Sequence, residues 1–286
     1  MRQTIISKLF IAFLWCTYLF IIPAPCHAQT DDASRVATQE DLTASYMKEA
    51  MQAFSQKDYM QAATSYQHVL KANEAAIKAD RIEHGELSDV YYNLANCYYK
   101  LKKYPQAVLA YQRSILYNPA NKDARFNLEL TQTKLADRFD APTEMFFVSW
   151  LRTITQSYDA SFWIFCSFLL LSLCMIFCLT YRFSSIMMLR KVAFSMSLAT
   201  FFIAIYTGVN GIIQNRAFNN CSLVVVMQKL QSYGSPSTTS AKMRILNEGT
   251  TVKVINADAP QWLEVEMPDG KTTWIQKKHL DYVKVN

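Results

Sequence analysis

Two long uncharged runs stand almost back to back near the middle of this 286-residue chain. One fills the 22 positions between Asp159 and Arg182, and the other fills the 24 positions between Lys191 and Arg216. As helices rising about 1.5 Å per residue, each is long enough to cross a hydrocarbon core of about 30 Å. No soluble fold of this size needs two such runs in succession. The expectation is a transmembrane hairpin with spans at 160–181 and 192–215 and a loop at 182–191. That loop carries Arg182, Arg190 and Lys191 and no acid. The positive-inside rule then puts the loop in the cytoplasm and both flanking segments outside.

The N-terminus points the same way. Arg2 and Lys8 precede an apolar stretch at 9–22, and the segment from Pro23 ends on the small residue Ala28. This is the pattern of a signal peptide at 1–28, cleaved after Ala28. An uncleaved anchor is the alternative, for which the stretch is short. Pro23 and Pro25 make a poor lipobox before Cys26. The net charge of +6 invites a nucleic-acid reading, but its distribution opposes one. Residues 29–159 carry 15 basic and 17 acidic groups, and residues 217–286 carry 8 and 6. The surplus is Arg2, Lys8, Arg182, Arg190, Lys191 and Arg216, which orient a membrane protein rather than form a nucleic-acid patch.

Of the seven cysteines, only Cys97 and Cys221 fall in the outer segments, so the chain is no disulfide scaffold. Cys174 and Cys178 share a helix face at i, i+4. Packing is favoured over a redox or metal pair there. Asn210, between Gly208 and Gly211, reads as a helix-packing contact. Residues 139–159 form a juxtamembrane segment. Pro142 stops the preceding helix, and Met145, Phe146, Trp150 and Leu151 make an amphipathic helix on the bilayer, with Trp150 and Trp163 at the headgroup boundary.

After a linker at 29–42, a repeat emerges. Residues 88–121 resemble one 34-residue tetratricopeptide repeat (TPR) through Tyr91, Leu94, Ala95, Tyr98, Tyr104, Ala107, Tyr111, Ser114 and Pro119. Small residues at 95, 107 and 114 let two helices approach closely, and Pro119 ends the repeat. Residues 43–76 align as a weaker copy through Tyr46, Ala50, Ala53, Tyr59, Ala62, Tyr66 and Leu70, with Glu49 at the usual leucine position. About 11 residues separate the copies, and 122–138 read as a capping helix, giving a TPR module at 43–138. Such arrays expose a concave groove. Here it would show Met47, Met51, Phe54, Tyr92, Asn96, Tyr99 and Asn127. The competing reading is that these residues only pack against neighbouring helices. The carboxylate-clamp type of TPR also needs basic residues in the groove, which are absent.

Beyond Arg216 the pattern changes to short strands at 223–227, 243–246, 249–255, 262–267, 272–276 and 282–285, with a hairpin turn at Pro268, Asp269 and Gly270. About five such strands predict a small all-β barrel at 217–286. The order resembles the bacterial SH3-like family through Ser235-Pro236, Leu246 with Gly249, Val252 with Val254, Trp262 with Val265, Asp269-Gly270 and Trp274-Ile275. Thr273 stands where that family usually has glycine. Tyr233, Trp262, Trp274 and Tyr282 are candidate groove residues, and barrel packing is the equal alternative for the two tryptophans.

The fold class is therefore multidomain: a helical TPR array, a two-helix transmembrane hairpin and a small SH3-like barrel. In this order the chain resembles the BatE-type proteins of the Bacteroides aerotolerance operons. That resemblance implies a two-pass protein of the bacterial inner membrane with both outer modules periplasmic. It also implies von Willebrand A-type membrane proteins and a MoxR-type ATPase as partners, and a role in envelope or oxidative stress. The residues themselves point to a non-enzymatic adaptor, with a peptidoglycan-binding sensor as the alternative. His68, His84 and His279 are scattered, and no nucleophile elbow, zinc spacing, P-loop or dinucleotide fingerprint occurs. No cofactor or metal is expected.

Overall fold

The computed structural model describes residues 30–79, 81–137 and 145–284. The expected signal peptide, its cleavage point and Pro142 lie outside them. The chain divides into two units, Met1–Ala44 and Ser45–Asn286, and the second holds every element after the first helix.

Among the described residues six helices come first: α1 (Thr30–Ser55), α2 (Tyr59–Ala72), α3 (Glu74–Lys78), α4 (His84–Lys100), α5 (Tyr104–Tyr117) and α6 (Lys122–Gln132). The expected linker is already helical from Thr30. The pairs α1/α2 and α4/α5 cover the two expected copies of the repeat, and their turns share one geometry. Lys57 (φ 64°) and Lys102 (φ 60°) both adopt the left-handed region. In each turn the next residue, Asp58 or Lys103, donates its N–H to a carbonyl five residues back, Ala53 or Tyr98, at 2.9 Å. This closes the helix end in the usual left-handed way. Asp58 then caps α2 by accepting from Gln61 N at 3.0 Å. Ala50, Ala62, Ala95 and Ala107 are completely buried where the paired helices meet. Glu49, the departure in the weaker copy, stays exposed and accepts from Gln61 Nε2 on α2 at 3.0 Å. The stretch between the copies forms α3 and lengthens α4. Its Ile77 is buried with Leu87, Tyr91 and Tyr117.

Three helices follow: α7 (Phe146–Thr155), α8 (Ala160–Phe183) and α9 (Met187–Asn219). The last two are long and apolar enough to cross a membrane. They pack along a stripe of small and polar residues on α9, including Ala193, Ser197, Thr200, Ala204 and Thr207. Gly211 is required there, because a Cβ would lie 2.7 Å from Ile164 Cγ1. Cys174 and Cys178 both place Sγ within 3.4 Å of Ser197 Oγ, and Ser167 Oγ donates to Ala204 O at 2.9 Å. Large side chains such as Phe165, Phe168 and Phe202 point outward. Asn210 is buried and accepts from Thr155 Oγ1 at 3.1 Å, tying α7 to α9. Trp163 is buried between α7 and α9, with Nε1 donating to Thr155 O at 3.1 Å and its ring edge-on to Tyr206.

The C-terminal segment forms one antiparallel sheet of seven strands in the order β3-β2-β6-β5-β4-β1-β7. The strands are β1 (Leu223–Val226), β2 (Leu230–Tyr233), β3 (Lys242–Leu246), β4 (Thr251–Asn256), β5 (Trp262–Glu266), β6 (Thr272–Gln276) and β7 (Leu280–Tyr282). The expectation of about five strands in a closed barrel needs correction, because β3 and β7 are unpaired edges. One face of the sheet buries Val224, Val226, Leu246, Val252, Leu263, Val265 and Ile275. The β5–β6 hairpin turns at Gly270, whose φ of +80° suits only glycine without strain. Thr273 has its own reason: it is buried, and its hydroxyl donates to Tyr233 O at 3.0 Å, fastening β6 to β2.

The sheet is not a separate module. Val225 and Val283 are buried in the repeat core beside Ala107, Val108 and Tyr111, while Val224 and Val226 serve the sheet's own core. Helix α5 packs on β1. The repeats and the sheet thus share one apolar interior.

Candidate functional site

Three groups of polar and tight contacts lock that shared interior. The side chain of Asp137, just beyond α6, is only 6% exposed. Its carboxylate accepts from Asn247 N (2.8 Å), Asn247 Nδ2 (2.7 Å) and Thr250 Oγ1 (2.6 Å) on the turn between β3 and β4. Burial pushes its pKa up. The bonds from Thr250 and Asn247, with the Arg244 guanidinium nearby, outweigh burial and hold it below the usual aspartate range. On the same turn Gly249 has φ +86°, and a Cβ there would lie 2.5 Å from Leu135 Cδ2. At the opposite edge, Arg113 of α5 donates through Nε to Val283 O (3.2 Å) and through Nη2 to Tyr282 O (2.9 Å).

The groove candidates of the repeats fall into two sets. Tyr92, Asn96 and Asn127 are drawn together. The buried Tyr111 donates its hydroxyl to Asn96 Oδ1 at 2.6 Å, and Asn127 Nδ2 donates to the same oxygen at 3.1 Å and to Tyr92 Oη at 3.4 Å. Burial, with Tyr92 nearby, drives the Tyr111 pKa far above the usual tyrosine range. Met47, Phe54 and Tyr99 pack partly on the core, and Met51 remains 55% exposed. The side chains thus act in packing and in display at once. Replacing Asn96 with alanine leaves the Tyr111 hydroxyl buried without its acceptor. This is expected to cost about 1–3 kcal/mol of stability, read by thermal unfolding of the full chain in detergent.

On the sheet, three of the four aromatic candidates share the outward face. Tyr233 pairs in register with Trp274, Trp274 with Glu264, and the Tyr233 and Trp262 rings meet edge-on at 5.4 Å. Tyr282 lies apart, on the far edge strand β7. Among the described residues no group of three or more His, Cys, Asp or Glu is gathered to hold a metal ion. Cys97 is buried, and burial raises its thiol to about 12, which makes it an inert packing residue.

The family profile for the tetratricopeptide repeat matches residues 88–121. The chain therefore contains a TPR, a fold typically used to bind proteins rather than to catalyse. No curated protein and no solved structure matches the chain. Asp137, Leu135 and Arg113 were not among the residues expected to matter, and Gly249 was read only as part of the SH3-like pattern. Their roles depend on partners more than 100 positions away in sequence, and no local pattern announces them.

Proposed function

We propose that this TPR-containing chain is a non-enzymatic adaptor, anchored in a bacterial inner membrane by α8 and α9, with repeats and sheet together on the periplasmic side. The observation that carries this reading is the shared core. The repeats and the sheet are packed on each other beside two helices fit to cross a membrane. Rigid presentation lowers the ordering cost when a partner engages both surfaces. The partners are envelope proteins. By resemblance they include von Willebrand A-type membrane proteins and a MoxR-type ATPase system, in an aerotolerance or stress complex.

The test uses the intact protein in its membrane. A photoreactive residue at Met51 is expected to crosslink envelope proteins, and recovery of none would count against the adaptor. Reporter fusions after positions 137 and 284 are expected to read as periplasmic, and a fusion at 185 as cytoplasmic. The opposite pattern would overturn the topology.

A second reading, a cell-wall sensor, is favoured by the outward face of Tyr233, Trp262 and Trp274, since aromatic rings stack well on glycan and peptide surfaces. Sedimentation of the detergent-solubilised chain with purified sacculi decides it. Pelleting that is lost in Trp262→Ala supports the sensor, and no pelleting removes it.

A further inference from the structure

A cavity of about 620 Å³ opens where the repeats meet the ends of both apolar helices. Its volume is in the range of small-ligand sites. The wall combines the starts of α4 and α8 with the ends of α5 and α9. Helix α9 has 33 residues and is therefore about 50 Å long, well beyond a hydrocarbon core of about 30 Å. Its last turns and the first turn of α8 thus lie at headgroup depth if the pair crosses a bilayer.

The wall carries two carboxylates, Glu83 and Asp159, the second of which also caps α8 by accepting from Phe162 N at 3.3 Å. It holds the His84 ring, packed on Tyr117 and Phe218, and neither lysine nor arginine. Four aromatic rings join them. Tyr158 and Phe162 stack at 4.3 Å, and Tyr117 and Phe218 meet edge-on at 5.7 Å. Phe218 already receives one ammonium, that of Lys284, at 4.6 Å from its ring centre. Gln214 also lines the wall. Its amide nitrogen donates to Tyr158 O at 3.2 Å, while its buried Oε1 accepts no hydrogen bond. Carboxylates and aromatic faces are the elements that recognise an ammonium group. A phosphate or other anion would meet two like charges.

We infer that this cavity binds the ammonium of an aminophospholipid headgroup, of the phosphatidylethanolamine kind, from the outer leaflet. The inference rests on the proposal that α8 and α9 cross the membrane. A soluble amine has the same recognition chemistry, and the depth of the cavity favours the lipid.

The full chain is placed in nanodiscs of phosphatidylglycerol containing a small fraction of phosphatidylethanolamine, and the lipids it retains are measured by native mass spectrometry. Wild type is expected to retain phosphatidylethanolamine about tenfold over its bulk share. The double variant Glu83→Gln, Asp159→Asn is expected to lose that preference at an unchanged melting temperature, since asparagine preserves the helix cap at 159. A wild type without headgroup preference, or a double variant that keeps it, overturns the inference. So does free ethanolamine that binds wild type in pure phosphatidylglycerol discs as tightly as the lipid does, because the ligand is then a soluble amine. A chain that never enters the discs overturns the membrane reading beneath it. Insertion without selectivity overturns this inference alone.

Discussion

Asp137→Ala is expected to lower the stability of the chain by about 3 kcal/mol and to separate the unfolding of the sheet from that of the repeats. The carboxylate serves three donors at the seam, and each hydrogen bond to a charged group contributes roughly 1.5–3 kcal/mol. The three act as one unit and do not add fully. Thr250 is buried, so its hydroxyl gains no water in exchange. The measurement is thermal unfolding of the full chain in detergent, followed by far-ultraviolet circular dichroism for the helices and by tryptophan fluorescence. Wild type is expected to show the two signals falling together for repeats and sheet, and the variant to show them apart. Coincident transitions in Asp137→Ala would refute the claim that this carboxylate joins the two parts. The pH dependence has a definite sign. The folded pKa is depressed, so between the folded and unfolded values the unfolded chain binds more protons, and stability rises with pH there. The contribution is complete above the ordinary aspartate range and is lost as pH falls through the lower folded value. In Asp137→Asn that acid-dependent step is expected to vanish.

Gly249→Ala is expected to cost about 2 kcal/mol through two separable effects. The left-handed backbone at φ +86° penalises any Cβ by roughly 1–2 kcal/mol. The added methyl also meets Leu135, whose Cδ2 would lie 2.5 Å away and Cγ 3.3 Å away. Leu135→Ala removes the collision and leaves the backbone penalty. The double variant is therefore expected to be less destabilised than the sum of the two singles, by at least about 0.5 kcal/mol. Strict additivity in denaturant titrations of the four proteins would show that the close approach carries no energy.

Those two positions mark the limit of what could be read from the chain alone. The strong repeat was legible because tyrosine, alanine and proline recur at fixed offsets, and each offset reflects a helix contact made within 34 residues. The two apolar helices were legible from length and absence of charge. Strand β2 was not, because Leu230, Gln231, Ser232 and Tyr233 contain no β-branched residue and only half an alternation. The openness of the sheet was equally hidden, since closure depends on whether two edges meet and not on the content of either. Val224, Val225 and Val226 held a clue that was only partly read. An unbroken β-branched run means burial on both faces of a strand, and here the second face belongs to the repeats. Of the groove candidates, Asn96 and Asn127 sit on the expected helices, but the Asn96 oxygen that accepts from both Tyr111 and Asn127 joins three helices and has no signature in spacing.

The joint interior also imposes an order of assembly. Arg113 finds its carbonyl partner 170 positions later in the chain, at Val283. A ribosome therefore releases both helix pairs long before it has made the valines that complete their core. During that interval the nascent repeats carry an uncovered greasy flank, and the late closure of so long a loop is slow. Anything that truncates the chain after α9 leaves this flank permanently bare and prone to clumping. The last sixty or so residues are thus a lid for the nascent fold as much as a domain in their own right.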